Sequence, residues 1–107
     1  LRQMRIVGNR YEAEGVFYMN AEKRIKEIIE EVQGLLIAKN RQYGNSALKP
    51  IGVFANGSAT DLIKIRIDDK LNRLIQGDET IEADEDIVKD LIGYFVLLLI
   101  AMRDEDE

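Results

Sequence analysis

From Leu91 to Met102 the chain carries no charged residue. Plotted at 100° per residue, Leu91, Ile92, Phe95, Val96, Leu97, Leu98, Leu99 and Ile100 fill the whole circle, the mark of a helix that wants protein on every side. The run contains Gly93 and Tyr94 and falls well short of the roughly 20 residues needed to cross a bilayer, so it is expected to be a core helix with no membrane partner. Asp84-Glu85-Asp86 supply the negative first turn that a helix dipole favours, and Arg103 suits its C-terminal end. A helix over about 84–103 is therefore expected, followed by an acidic tail at 104–107.

Two companion helices are legible upstream. From Ala21 to about Gln42, Ile25, Ile28, Ile29, Val32, Leu35 and Leu36 recur at three- and four-residue steps, with Asn20 placed as an N-cap. Tyr43-Gly44-Asn45-Ser46 stops this helix. A long connection with Pro50, Gly52 and Asn56-Gly57 follows, of a length that is usually functional or mobile. Thr60 or Ser58 caps the next helix, Asp61 to about Gln76, with Ile63, Ile67, Leu71 and Leu74 as its apolar stripe and Gly77-Asp78 as its end. Leu62 and Ile65 add apolar surface away from that stripe. The expectation is an all-α domain over 19–103, a small bundle of three main helices completed by homo-oligomerisation, because two companions can hardly cover the last helix.

Residues 1–18 show no sustained period and read as an N-terminal extension. Glu14-Gly15-Val16 can be encoded by a purine-rich stretch resembling a ribosome-binding site, which makes Met19 a candidate native start; an ordinary extension is the other reading, and both stay open. No signal-peptide layout is visible, so a cytoplasmic location is expected.

Composition narrows the chemistry. The chain has no cysteine, histidine or tryptophan, so thiolate and imidazole nucleophiles, Cys/His zinc sites and disulfides are excluded. Fifteen Lys and Arg against twenty Asp and Glu leave a net charge of −5, which argues against a duplex nucleic-acid surface. Gly52 and Gly57 lack the following Lys-Ser/Thr of a phosphate-binding loop. Carboxylates, Lys, Arg, Tyr and hydroxyls remain.

Asp86 and Asp90 lie one turn apart where the last helix enters its apolar run, and a carboxylate there needs a partner. Mg²⁺ is one candidate, since carboxylate oxygens suit it; an ion pair from Asp90 to Arg66, Lys70 or Arg73 is the other. Arg66, Asp69 and Arg73 form a polar stripe with Lys70 beside it, which is a solvated ladder or a phosphate-facing set. Lys39 and Tyr43 continue the apolar face of the first helix and so point toward the others. Glu27, Glu30 and Glu31 resemble the paired acids of metal-dependent nucleotide hydrolases, but Glu27 falls opposite the apolar stripe and Glu31 near its boundary.

Taken together, Lys39-Asn40-Arg41-Gln42-Tyr43-Gly44-Asn45-Ser46, Ile65-Arg66-Ile67-Asp68-Asp69-Lys70-Leu71-Asn72-Arg73-Leu74 and Asp86 with Asp90-Leu91-Ile92-Gly93-Tyr94 resemble the nucleotide-modification-associated domain family of phages and bacteria. That family is similar to the all-α MazG-like nucleoside triphosphate pyrophosphatases. The resemblance implies a nucleotide-binding protein of phage or bacterial nucleotide metabolism, with a Mg²⁺-dependent pyrophosphohydrolase as the finer form of that expectation. In that reading Asp69 and Asp90 are catalytic, Glu31, Asp69, Asp86 and Asp90 hold metal, and Lys39, Tyr43, Arg66, Lys70, Arg73 and Tyr94 meet the nucleotide. The chain departs from MazG-like enzymes in offering Asp86-x-x-x-Asp90 where they carry Glu-x-x-Asp. A non-catalytic accessory protein acting through protein contacts is the alternative.

Overall fold

The computed structural model describes residues 9–106, and the protein is all-α, with no strand among them. Three helices follow in order: α1 (Asn9–Gln42), α2 (Ala59–Gln76) and α3 (Asp84–Glu105). The chain divides into two units, Leu1–Glu31 and Val32–Glu107. A boundary inside α1 was not expected, and neither was the helix's start. α1 begins at Asn9, eleven residues before the expected cap Asn20, so part of the expected extension is helix. Arg10, Tyr11, Glu12 and Ala13 carry no helix breaker, and a polar, aperiodic stretch hides a helix from a periodicity argument.

In the first unit α1 presents Phe17, Tyr18, Met19, Ile25, Ile28 and Ile29 as exposed side chains. The rings of Phe17 and Tyr18 meet edge to face at 5.9 Å.

The second unit holds the core. Val32 is buried on the last turns of α1, which ends where Gly44 and Asn45 adopt left-handed φ of 61° and 62°. The Asn45 N–H donates to the Asn40 carbonyl, and the Asn40 side-chain amide donates back to Asn45 Oδ1, closing the end of the helix. The connection to α2 is an irregular run of turns. At its end Ser58, of the two residues expected, is the cap, its Oγ accepting from the Asp61 N–H at 3.1 Å. Gly77, at φ 70°, closes α2 by donating its N–H to the Arg73 carbonyl. α3 has Ala83 in the cap position with no side-chain cap of its own; instead Glu79 Oε1 accepts from the Asp84 N–H.

α2 packs on α3 through Ile63 and Ile67 against Ile87, Leu91, Leu97 and Ala101, with Ala47 of the connection joining them. Two helical details differ from expectation. On α2 the inward row runs Thr60, Ile63, Ile67, Lys70, so Lys70 is buried while Leu71 stays 40% exposed. On α3 only one face is covered: Val88, Ile92, Phe95, Val96, Leu99, Ile100 and Met102 remain between 39% and 53% exposed. Among the described residues of the second unit, none covers this outer face.

No helix of the described residues is long and apolar enough to cross a membrane.

Candidate functional site

The site grows from three helices of the second unit. Gly93 is buried on α3, and a Cβ there would stand 3.3 Å from Leu36 Cδ1, so its absence lets α1 approach closely. That approach carries Lys39, one turn beyond Leu36, to Asp90, one turn before Gly93. Lys39 Nζ donates to Asp90 Oδ1 at 2.7 Å, and Lys70 Nζ of α2 reaches Asp90 Oδ2 at 2.9 Å. One carboxylate thus ties the three helices together.

The chain of charges continues. Lys70 Nζ also donates to Glu82 Oε2 at 2.8 Å, and Glu82 Oε1 accepts from Arg73 at 3.0 Å. The Lys70 and Asp90 side chains are only 11% and 13% exposed, so neither charge is left to water. Burial by itself would push the Asp90 carboxyl up. The hydrogen bonds and charges of Lys39 and Lys70 outweigh it and hold the group below the ordinary carboxylate range. Burial likewise pulls Lys70 down, but Glu82 and Asp90 bring it above the ordinary lysine value. Glu82 is lowered chiefly by the hydrogen bond from Lys70.

These directions set the pH dependence. Asp90 and Glu82 have depressed folded values, so their contribution is present above about pH 4–5 and is lost as pH falls through the folded values. Lys70 is raised, so its contribution is present below about pH 10 and is lost as pH climbs through its folded value. With no histidine in the chain, thermal unfolding followed by circular dichroism should give a flat Tm from about pH 6 to 9. A fall should appear on the acid side, and Glu82→Gln should reduce its slope. A Tm that rises or falls steadily across the neutral range would contradict this network as a pH-dependent tie.

Around these charges lies a cavity of about 300 Å³, lined by Val32, Leu35, Leu36, Ala47, Gly93 and Leu97 on its apolar side. Its polar side is Lys39, Asn40, Arg66, Lys70, Glu82, Lys89 and Asp90, with Tyr43 and Tyr94. Four cations stand against two acids, an excess of two positive charges in a chain whose net charge is −5. A second, more open cavity of about 710 Å³ lies under the connection, lined by Pro50, Ile51, Gly52, Val53, Phe54 and Ala55. The two share Tyr43, Arg66 and Tyr94 as a common wall.

Arg66 stands apart from the other cations. Lys39, Lys70 and Arg73 are paired as described, and Lys89 pairs with Glu85 at 3.2 Å. Among the described residues Arg66 has neither an ion-pair nor a hydrogen-bond partner, although it is half-buried in the shared wall.

The structure therefore brings together Lys39, Tyr43, Arg66, Lys70, Asp90 and Tyr94. Arg73 joins only through Glu82 and is itself exposed. Asp69 and Asp86 are exposed and line neither cavity, and Glu31 belongs to the first unit. The reason is helical phase. With Lys70 turned inward, Asp69 lies 100° away from it. Asp86 stands a turn before Asp90, at the open end of α3. Within the second unit Asp69 and Asp86 do not join Asp90: among the described residues no group of three acids is placed to hold a metal ion, and both Asp90 oxygens face ammonium groups. Of the cations expected as ion-pair partners for Asp90, Lys70 is the one that reaches it, and Lys39 is a second partner.

Glu82 escaped the sequence argument. It sits in the short connection between α2 and α3, where no helical period points to it, and only its place twelve residues after Lys70 across a closed turn brings it near.

No family model, curated protein or solved structure matches the chain.

Proposed function

We propose that the second unit binds a nucleotide directly, through its anionic phosphate and aromatic base. The observation that carries this reading is Arg66, half-buried in the wall that it forms with Tyr43 and Tyr94 between two cavities, and without an ion-pair partner among the described residues. A guanidinium offers a planar fork of donors matched to phosphate oxygens, while tyrosine rings offer faces to a flat base. The cavity's excess of positive charge supports an anion, and its apolar side supports a ligand with an unsaturated or aliphatic part. The three sequence blocks resembling the nucleotide-modification-associated domains contribute most of the same residues.

Pyrophosphohydrolysis is a finer reading that would require Asp90 to leave at least one lysine and accept a metal ion. A thermal-shift panel of nucleoside mono- and triphosphates, each with Mg²⁺ and with a chelator, separates the cases. A ligand held by Arg66 and the lysines raises Tm in both conditions, because anything that binds only the folded state stabilises it by mass action. A shift seen only with Mg²⁺ would favour the metal-dependent reading. No shift with any nucleotide would sink nucleotide binding altogether.

A further inference from the structure

The uncovered face of α3 has a period of its own. Val88, Ile92, Phe95, Leu99 and Met102 follow one another at steps of four, three, four and three, all are exposed, and together they form a single stripe about 120° round the helix from the side packed on α2. That alternation is the spacing of a two-helix seam, in which each side chain lodges between those of a facing helix. Val96 and Ile100 widen the stripe on one flank. Asp84 and Asp106 fall on the same line and bound it at either end.

We infer that this stripe is the contact between two copies of the chain, paired antiparallel along α3 about a twofold axis at Phe95. A helix carrying its own complementary seam is the simplest occupant, since a twofold contact uses one surface twice. The seven exposed apolar side chains offer on the order of 500 Å² per copy, more than half of the ~800 Å² per partner of a standard stable interface.

Charge decides the orientation. Glu85 and Arg103 are eighteen residues apart, five turns at 3.6 residues per turn, so they stand on one flank of the stripe, and both are exposed. In an antiparallel pair centred on Phe95, Glu85 of each copy comes opposite Arg103 of the other, giving two ion pairs by symmetry. In a parallel pair the two residues stay at opposite ends and never meet. Asp84 and Asp106 are repelled equally in either orientation. Antiparallel alignment also opposes the helix dipoles favourably.

The chain has no cysteine, so single cysteines report the geometry directly. Sedimentation equilibrium of the full chain should give a dimer whose mass falls on dilution. Under mild oxidation, a mixture of Val88→Cys and Met102→Cys proteins should give mainly the mixed cross-linked dimer, and Val88→Cys alone almost none. Leu99→Glu should give a monomer with unchanged helical circular dichroism, as Leu99 is half-exposed within the chain. A monomer at every concentration would overturn the proposal, whether the stripe is then covered by the first half of α1 or by an unrelated protein. Efficient cross-linking of Val88→Cys alone would overturn the antiparallel arrangement. A Leu99→Glu protein that folds and still dimerises would place the association elsewhere; if it fails to fold, the cysteine mixture still decides.

Discussion

Asp90→Asn should cost the fold about 2 kcal/mol, seen as a Tm lowered by roughly 10 °C in a domain of this size. The loss comes from what the substitution leaves behind. An asparagine can accept from one ammonium, but its amide group then presents N–H donors to the other, so the nearly buried Lys70 and the part-exposed Lys39 share a single neutral acceptor. Breaking a fully buried pair costs about 3–5 kcal/mol; here Lys39 is 39% exposed and can turn to water, which puts the figure below that range. The same substitution at Asp69 or Asp86 should stay within about 0.5 kcal/mol, because both are exposed and neither has a resolved partner among the hydrogen bonds of the site. Replacing Lys70 by Met in the Asp90→Asn background should recover about half the loss, since it removes one uncompensated ammonium and leaves Glu82 its contact with Arg73. Urea unfolding of the two single variants and the double variant measures the coupling directly. Equal stability of Asp90→Asn and the parent protein would mean that the tie between the three helices contributes nothing.

How much of this could be read beforehand depends on what each feature's signal is made of. α2 and the start of α3 were legible because their ends are chemical: Ser58, Gly77 and the acidic turn at Asp84 act through hydrogen bonds and dipoles that leave a local trace. The beginning of α1 at Asn9 was not, since a helix that displays no stripe leaves no period. On α2 the residues at 70 and 71 are both within reach of an inward row that passes 63 and 67, and hydrophobicity alone selects Leu71. The structure selects Lys70 because two carboxylates, one of them in a connection without periodicity, wait for it there. An ion network is a tertiary fact: its members are individually ordinary surface residue types, and only the approach of α1 to Gly93 makes them a site. For α3, an apolar circle is compatible with burial in one chain or between two, and the periodicity of its outer stripe is the same in either case.

The largest functional effect should fall on Arg66. Arg66→Ala is expected to weaken nucleotide binding by roughly 30-fold, the order expected for a lost charge-assisted hydrogen-bond pair, while leaving the unliganded Tm within about 2 °C of the parent. The separation of the two effects is what identifies a binding residue. Lys39, Lys70 and Asp90 hold one another, so changing any of them moves stability and affinity together. Arg66 has no partner among the described residues to lose, so its removal should leave the fold alone. Arg66→Lys should fall between, because an ammonium keeps the charge but cannot present two parallel donors to one phosphate. Isothermal titration with a nucleoside monophosphate and the matching nucleoside, at two salt concentrations, completes the comparison. The parent protein should prefer the phosphorylated ligand and lose affinity as salt rises, whereas Arg66→Ala should show a weaker preference and a shallower salt dependence. An Arg66→Ala protein that binds the monophosphate as tightly as the parent would remove the shared wall from the site and shift attention to the lysines already held by Asp90.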